Sequence, residues 1–332
     1  MQLTNDAYAL IMTCSYVGLN PKGEVRPFSL KEWNALAQKI HHSQLKTPGR
    51  MLGLSAETLQ IELDLSLSEA QRLAILLDRG GTVGFELESM MNAGIRVLTR
   101  SDPDYPQRLK KKLKSQAPVV LFLAGALELS QKEGVAIVGS RAVDEAGKCF
   151  TAKLAELCAR SHMNVVSGGA KGVDEISMNS ALENGGTCIG VLGDSLVKRI
   201  RERQARQYIF EERLLLLSPF HPNAPFQIAN AMARNKLIYV LANYAVVVAS
   251  DFEKGGTWAG ATENLRKGYT PLFVRSDIDV PKGNLALLEK NTATLTSAEI
   301  EIIDLDLKEL FAQKKPQQKE IEKSYSRQMN LL

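Results

Sequence analysis

The stretch VAIVGSRAVDEAGKCFTAKLAELCARSHMNVVSGGAKGVD, residues 135–174, decides the fold. VAIVGS reads as a buried strand, TAKLAELCAR as a helix, NVVSGG as a second strand, and a helix follows Val173. The alternation continues downstream. TCIGVLG is a third strand, followed by a basic helix around Arg201, and RLLLLSP is a fourth. AVVVAS is a fifth strand, TWAGATENLRKG a helix and TPLFV a sixth strand. Apolar strands alternating with helices predict an α/β fold, a Rossmann-like, mostly parallel sheet covered on both faces. On such sheets ligands sit beyond the carboxyl ends of the strands.

Upstream, residues 1–100 predict a small helical domain. Helical spacing appears in LKEWNALAQKI and SEAQRLAILLDRG, with Ser55 and Ser68 as N-caps and Gly80 and Gly81 as a stop. Two β-rich runs, Ile95–Thr99 and Val119–Ala124, flank a proline-rich turn and read as edge strands leading into the next domain. The sheet domain is expected over residues 101–303 and a polar, frayed tail over residues 304–332. The apolar stretch Leu237–Ala249 carries Asn243 and reads as a strand approach followed by a strand.

Composition narrows the function classes. The chain has 332 residues, 45% hydrophobic and 23% charged, as expected of a globular protein with a real core. It has no apolar run long enough to cross a bilayer and no recognisable signal peptide, so no membrane partner and a cytoplasmic setting are expected. Cys14, Cys149, Cys158 and Cys188 have neither metal-ligand nor disulfide-framework spacing, so no metal and no cofactor are expected. The net charge of +4 is mild, but its distribution is not. Basic residues cluster at Lys110–Lys114, at Lys198, Arg199, Arg201, Arg203 and Arg206, and in a tail with Lys314, Lys315, Lys319, Lys323 and Arg327. Each cluster alone is equally a solvated face or an anion-binding surface.

Four segments combine small residues with a base or a hydroxyl: Gly139–Ser140–Arg141, Ser167–Asp174, Ala233–Ile238 and Lys254–Leu265. Glycine lets backbone N–H groups approach an anion, and a helix start adds its positive end. The candidate phosphate-binding residues are Gly139, Ser140, Arg141, Ser167, Gly168, Gly169, Lys171, Gly172, Arg234, Asn235, Lys254, Gly255, Gly256 and Thr257. None of the segments is a Walker A loop or a dinucleotide GxGxxG fingerprint. Asp174 is expected to order its loop by accepting backbone N–H bonds, because a carboxylate repels phosphate.

The ordered set resembles the DprA/Smf family of DNA-processing proteins. The resemblance runs from about Gly94 to Val274, through DPDYPQRLK, PVVLFLAGAL, VAIVGSR, VVSGGAKGVD, LLLSPF, ARNKLIYVLANYAVVVAS and GGTWAGATENLRKGYTPLFV. Gly139–Arg141 match the family's GSR element, Ser167–Asp174 its SGxAxGxD element, and Arg234–Asn235 its RN pair. The resemblance implies single-stranded DNA as partner, a homodimer, help in loading a RecA-type recombinase, and no catalytic residues. Arg141, Lys171 and Arg234 are then the expected phosphate contacts. The pattern also departs from the family. Met178 stands where a His is usual, LGDSLVKRIRERQ replaces the family's GxGxDxxYP-like segment, and the common C-terminal winged helix is not expected. These differences suit a divergent member from a defence or mobile-element setting.

Two other readings stay open. The loop KGGTWAGATENL is similar to that of the LOG-type nucleotide phosphoribohydrolases, with Glu263 acting on the glycosidic bond and Arg141 holding phosphate. The same pocket would also serve a nucleotide-sensing regulator of a partner such as a toxin. Phe220, Phe226, Tyr239 and Trp258 are candidates for base stacking or for the core. His41, His42, His162 and His221 have no nucleophile partner in sequence and read as satisfied or exposed.

Overall fold

The computed structural model describes residues 3–302 and 305–315. Five helices come first: α1 (Asn5–Cys14), α2 (Leu30–His42), α3 (Ala56–Leu63), α4 (Leu67–Leu77) and α5 (Gly80–Asn92). Ser55 caps α3, whereas the cap of α4 is Ser66 and not Ser68. Ser66 accepts from the Glu69 N–H while the Glu69 carboxylate takes the Ser66 N–H, a reciprocal box that Ser68 has no glutamate to close. Gly80 and Gly81 open α5 instead of stopping a helix, because α4 has already ended at Leu77.

The chain then runs β1 (Arg96–Thr99), α6 (Gln107–Leu113), β2 (Val120–Gly125), β3 (Gly134–Val138), α7 (Glu145–Arg160), β4 (Asn164–Ser167), α8 (Val173–Glu183) and β5 (Cys188–Val191). It continues through α9 (Leu196–Arg201), α10 (Arg203–Phe210), β6 (Leu214–Ser218), α11 (Ile228–Leu241), β7 (Tyr244–Val247), α12 (Gly255–Lys267) and β8 (Leu272–Arg275). It closes with α13 (Lys282–Leu288), β9 (Ala293–Leu295), α14 (Ser297–Ile300) and α15 (Leu307–Lys314).

The strands form one nine-stranded sheet ordered β1-β2-β6-β5-β4-β3-β7-β8-β9. β3 to β9 are mutually parallel, and β1 and β2 add on antiparallel beyond β6. The expected mostly parallel α/β sheet is therefore present. β2 lies inside the sheet, paired to β1 and β6, so of the two expected edge strands β1 alone is at an edge, with β9 at the other. Strand order reverses between β3 and β7, because the chain leaves β6 through α11 and returns on the far side of β3. The helices α7 to α10 pack on one face together with α1 to α5. The other face is covered by α6, α11, α12 and α13.

Two expectations along the chain change. Leu237–Leu241 is the end of α11 and not a strand approach: five consecutive buried residues there close the helix against the sheet. Residues 307–314 are not frayed, since Leu307 and Phe311 of α15 are fully buried and the Phe311 ring stacks on Tyr244 at 4.7 Å. The remaining basic tail residues Lys319, Lys323 and Arg327 lie outside the described residues. Among the described residues no helix is long and apolar enough to cross a membrane.

Candidate nucleic-acid interface

The reversal of strand order opens a crevice at the carboxyl ends of β3 and β7, the place where open α/β sheets bind ligands. There the protein has a cleft of about 450 Å³. The β3 end supplies Gly139, Ser140 and Arg141, the N-cap and first turn of α12 supply Lys254 to Thr257, and α11 crosses over with Arg234 and Asn235. The Ala233–Ile238 segment is thus helix, not a strand-end loop, and its two polar residues reach the cleft from the crossover.

Each side chain has a specific setting. Arg141 is exposed, and its guanidinium lies 5.4 Å from the centre of the Phe226 ring, a cation–π distance. The Ser140 hydroxyl accepts from the Ala142 N–H and fixes the turn. Asn235 donates to the Gly256 carbonyl at 3.1 Å, tying α11 to the start of α12. α12 begins without a side-chain cap and without an acid in its first turn, so its first N–H groups face the cleft uncapped.

Arg234 is the unusual member. It is only 6% exposed, and it donates from Nη2 to the Gly168 carbonyl at 3.1 Å. Its Nε has no partner although it is fully enclosed. Burial pulls its pKa down while Asp174 and Asp194 hold it up. Asp174 is the buried counter-charge. Burial raises its pKa, and Arg234 and the N–H groups of Ala170 and Gly168 oppose that rise. Arg234 thus lines the cleft as a buried, positively charged group with one N–H left unsatisfied inside the protein.

The second candidate loop does a different job. The Ser167 hydroxyl is buried and donates to the Ile137 carbonyl at 2.7 Å. At Gly172, φ is +81° and an added Cβ would stand 2.6 Å from the Ser140 and Arg141 carbonyls. Gly168 and Gly169 back onto Arg234 and Leu192. Lys171 is exposed but not part of the cleft lining. This loop mainly builds the wall behind Arg141 and Arg234 and reaches the lining only through Ala170 and the Asp174 carboxylate, while Gly139–Arg141, Arg234, Asn235 and Lys254–Thr257 converge on the cleft.

A family model for DNA recombination-mediator protein A matches residues 96–305, more than half of the sequence. The chain belongs to that family. It is 29% identical over 218 residues to the Protein Smf of Synechocystis, covering 64% of this chain and 54% of that protein. It is 33% identical over 141 residues to the DNA processing protein DprA of Streptococcus pneumoniae, covering 42% of this chain and 49% of the relative. The chain thus spans about half the length of these two relatives. The X-ray structure of the Streptococcus pneumoniae DprA superposes with a TM-score of 0.64 at 21% identity, covering 90% of this chain and 97% of that one, and so shares its fold.

Within this family member, several cleft residues carry no sequence signal of an anion site. Ile228, Ala231 and Met232 form an apolar wall from the first turns of α11, and Asp251 adds a carboxylate at the rim. The i, i+4 spacing of Ile228 and Met232 is the one available hint that the loop had already become helix. Of the aromatic candidates, Phe226 lines the cleft at 51% exposure and Tyr239 is buried beneath it. Trp258 packs edge-on against Phe252, and Phe220 lines a separate groove beside the helical region. Glu263 lies on α12 outside the cleft lining. His221 is satisfied by Glu86 of α5 at 2.9 Å. The Lys110–Lys114 cluster is partly structural: Lys110 donates to the Arg100 carbonyl, and Lys112 reaches the Tyr269 carbonyl at 2.6 Å.

Proposed function

We propose that the chain binds single-stranded DNA, with the sugar-phosphate backbone laid across the cleft at the ends of β3 and β7. The observation that carries this reading is the convergence of Arg141, Arg234 and Lys254 with the uncapped start of α12 on one cleft. These groups offer guanidinium, ammonium and backbone donors to one anion-sized path. The apolar wall of Ile228 and Met232 and the exposed Phe226 ring offer a surface for an unpaired base. A duplex keeps its base faces stacked inside, so only a single strand uses both halves of the cleft. Membership of a recombination-mediator family supports the same partner class.

The cleft acts by binding and positioning. The hydrolase alternative would use Glu263 at the sugar, and Glu263 lies outside the lining, whose carboxylates are Asp174, placed against Arg234, and Asp251 at the rim. Handing the strand to a RecA-type recombinase and pairing as a homodimer extend the proposal. The exposed Leu285 on α13 and fully exposed Ile278 just before it support a self-contact on the last helices of the sheet.

The test is fluorescence anisotropy with a labelled oligo-thymidine strand, repeated with duplex and across salt. Preference for the single strand, with affinity falling as salt rises, is the expected result. Arg141→Ala is expected to weaken the strand about tenfold, with melting temperature unchanged because the side chain is exposed. Equal binding of strand and duplex, or wild-type affinity in the variant, overturns the reading.

A further inference from the structure

The second basic cluster lies away from the cleft, and its geometry gives it a role of its own. Within Lys198–Phe210 there are five bases against one acid, Glu202. That acid is already paired with Arg199 at 2.7 Å. Glu211, the next acid along the chain, pairs with Arg213. Arg201, Arg203 and Arg206 are exposed and have no carboxylate partner among the described residues. They line one depression of about 700 Å³ on the outside of α9 and α10, floored by Gly94 and Ala124. At its edge stands Phe210, 89% exposed although it belongs to a helix whose Tyr208 and Ile209 pack inward.

An exposed phenyl ring costs solvation with nothing gained in the fold, and unpaired arginines around it repel one another. Both costs are offset by one kind of ligand: a flexible polyanion with flat apolar faces, which is single-stranded nucleic acid. An acidic peptide would satisfy the arginines but not the ring. The position fits as well. α9 starts at Leu196, two residues after Asp194, whose charge acts on Arg234, and Gly193 packs on Ala231 of the cleft wall. From that rim α9 and α10 run back along the sheet for about 9 and 12 Å of helix, and bring the arginines to the β1–β2 edge, level with the first residues of β6.

We propose that Arg201, Arg203, Arg206 and Phe210 form a second contact for single-stranded DNA, receiving the strand as it leaves the cleft. The proposal rests on the strand-binding reading of the cleft. Together the two sites make a strand of sufficient length bind more tightly than either alone, by tethering.

The experiment compares wild type with the triple variant Arg201→Gln, Arg203→Gln, Arg206→Gln and with Phe210→Ala. Anisotropy is measured with strands of about six and about thirty nucleotides, the first long enough for one site only. All four side chains are exposed, so unchanged circular dichroism and melting are expected. The triple variant is expected to bind the short strand as wild type does and the long strand about tenfold more weakly, with a log–log salt slope shallower by about 2. Phe210→Ala is expected to weaken the long strand alone, by about fivefold. Wild-type affinity and salt slope for the long strand in the triple variant overturn the proposal, as does binding of a poly-glutamate peptide with strand binding unaffected. Failure of the cleft reading is separate: the short strand then does not bind wild type, and Arg141→Ala leaves the long strand unchanged. Loss of long-strand binding in the triple variant would still place DNA on α10.

Discussion

Gly168 and Arg234 show how closely the cleft is built. A Cβ on Gly168 would stand 2.0 Å from Arg234 Nη1 and 2.3 Å from Cζ, so the guanidinium occupies the space a side chain would need. Gly168 is also where the carbonyl holding Nη2 originates. Gly168→Ala therefore cannot keep both its own methyl and the present position of Arg234. Overpacking at such a site costs about 1–3 kcal/mol. The expected outcome is a moderately lowered melting temperature together with a loss of strand affinity at least as large as that of Arg141→Ala. A variant that keeps wild-type affinity would show that Arg234 does not touch the strand. The sequence singled out both residues, but for the same job. The structure divides the labour: Arg234 is among the residues that line the cleft, and Gly168 makes room for it. That division depends on a close approach between residues 66 positions apart, which local pattern does not encode.

At the scale of elements, what could be read depended on whether the signal was local. The strands from Val135 to β8 carry unbroken apolar runs and were legible, as was the helix capped by Ser55, whereas the cap of α4 was read two residues late. α11 was half-legible. Its first turns, Ile228–Met232, follow a proline-rich stretch, and its last turns are apolar enough to pass for strand. β9 and α15 were not legible, because both owe their existence to packing: β9 is three residues long, and α15 has a single buried stripe in a polar background. α15 yields a sharp prediction. The Phe311 ring is fully buried, stacks on Tyr244 at 4.7 Å and meets Phe273 edge-on at 4.7 Å. Lys308 and Lys314 anchor the helix to Glu133 and Glu299. Phe311→Ala is expected to lower unfolding free energy by about 3 kcal/mol in denaturant titration, with the strand-binding cleft untouched. A frayed tail, as composition suggested, would give no change, and that result would remove α15 from the fold.

The whole molecule raises the question of how independent the helical region is. Its composition and position suggested a separate unit over residues 1–100, yet β1 begins at Arg96 and pairs in the main sheet. One continuous buried cluster joins Leu10, Trp33 and Leu73 of the helices to Phe122, Val135 and Leu216 of the sheet. Polar ties cross the same boundary. Asn34 donates to the Ser115 carbonyl, and Glu86 holds His221. A boundary with a shared core lacks the weak, wet contact that lets domains unfold separately. The two tryptophans report on this directly, since Trp33 is buried in α2 and Trp258 sits half-buried on α12 beside the cleft. Trp258→Phe leaves fluorescence from the helical region alone, and Trp33→Phe leaves it from the sheet side alone. In a urea titration of each variant, corrected for any shift in total stability by circular dichroism, both reporters are expected to share the midpoint of the backbone signal. A Trp33 transition that precedes the backbone transition would mean that the helices melt off an intact sheet. In that case strand binding at the cleft, which no residue of α1 to α5 lines, should survive into the gap between the two transitions, and anisotropy in the same titration would detect it.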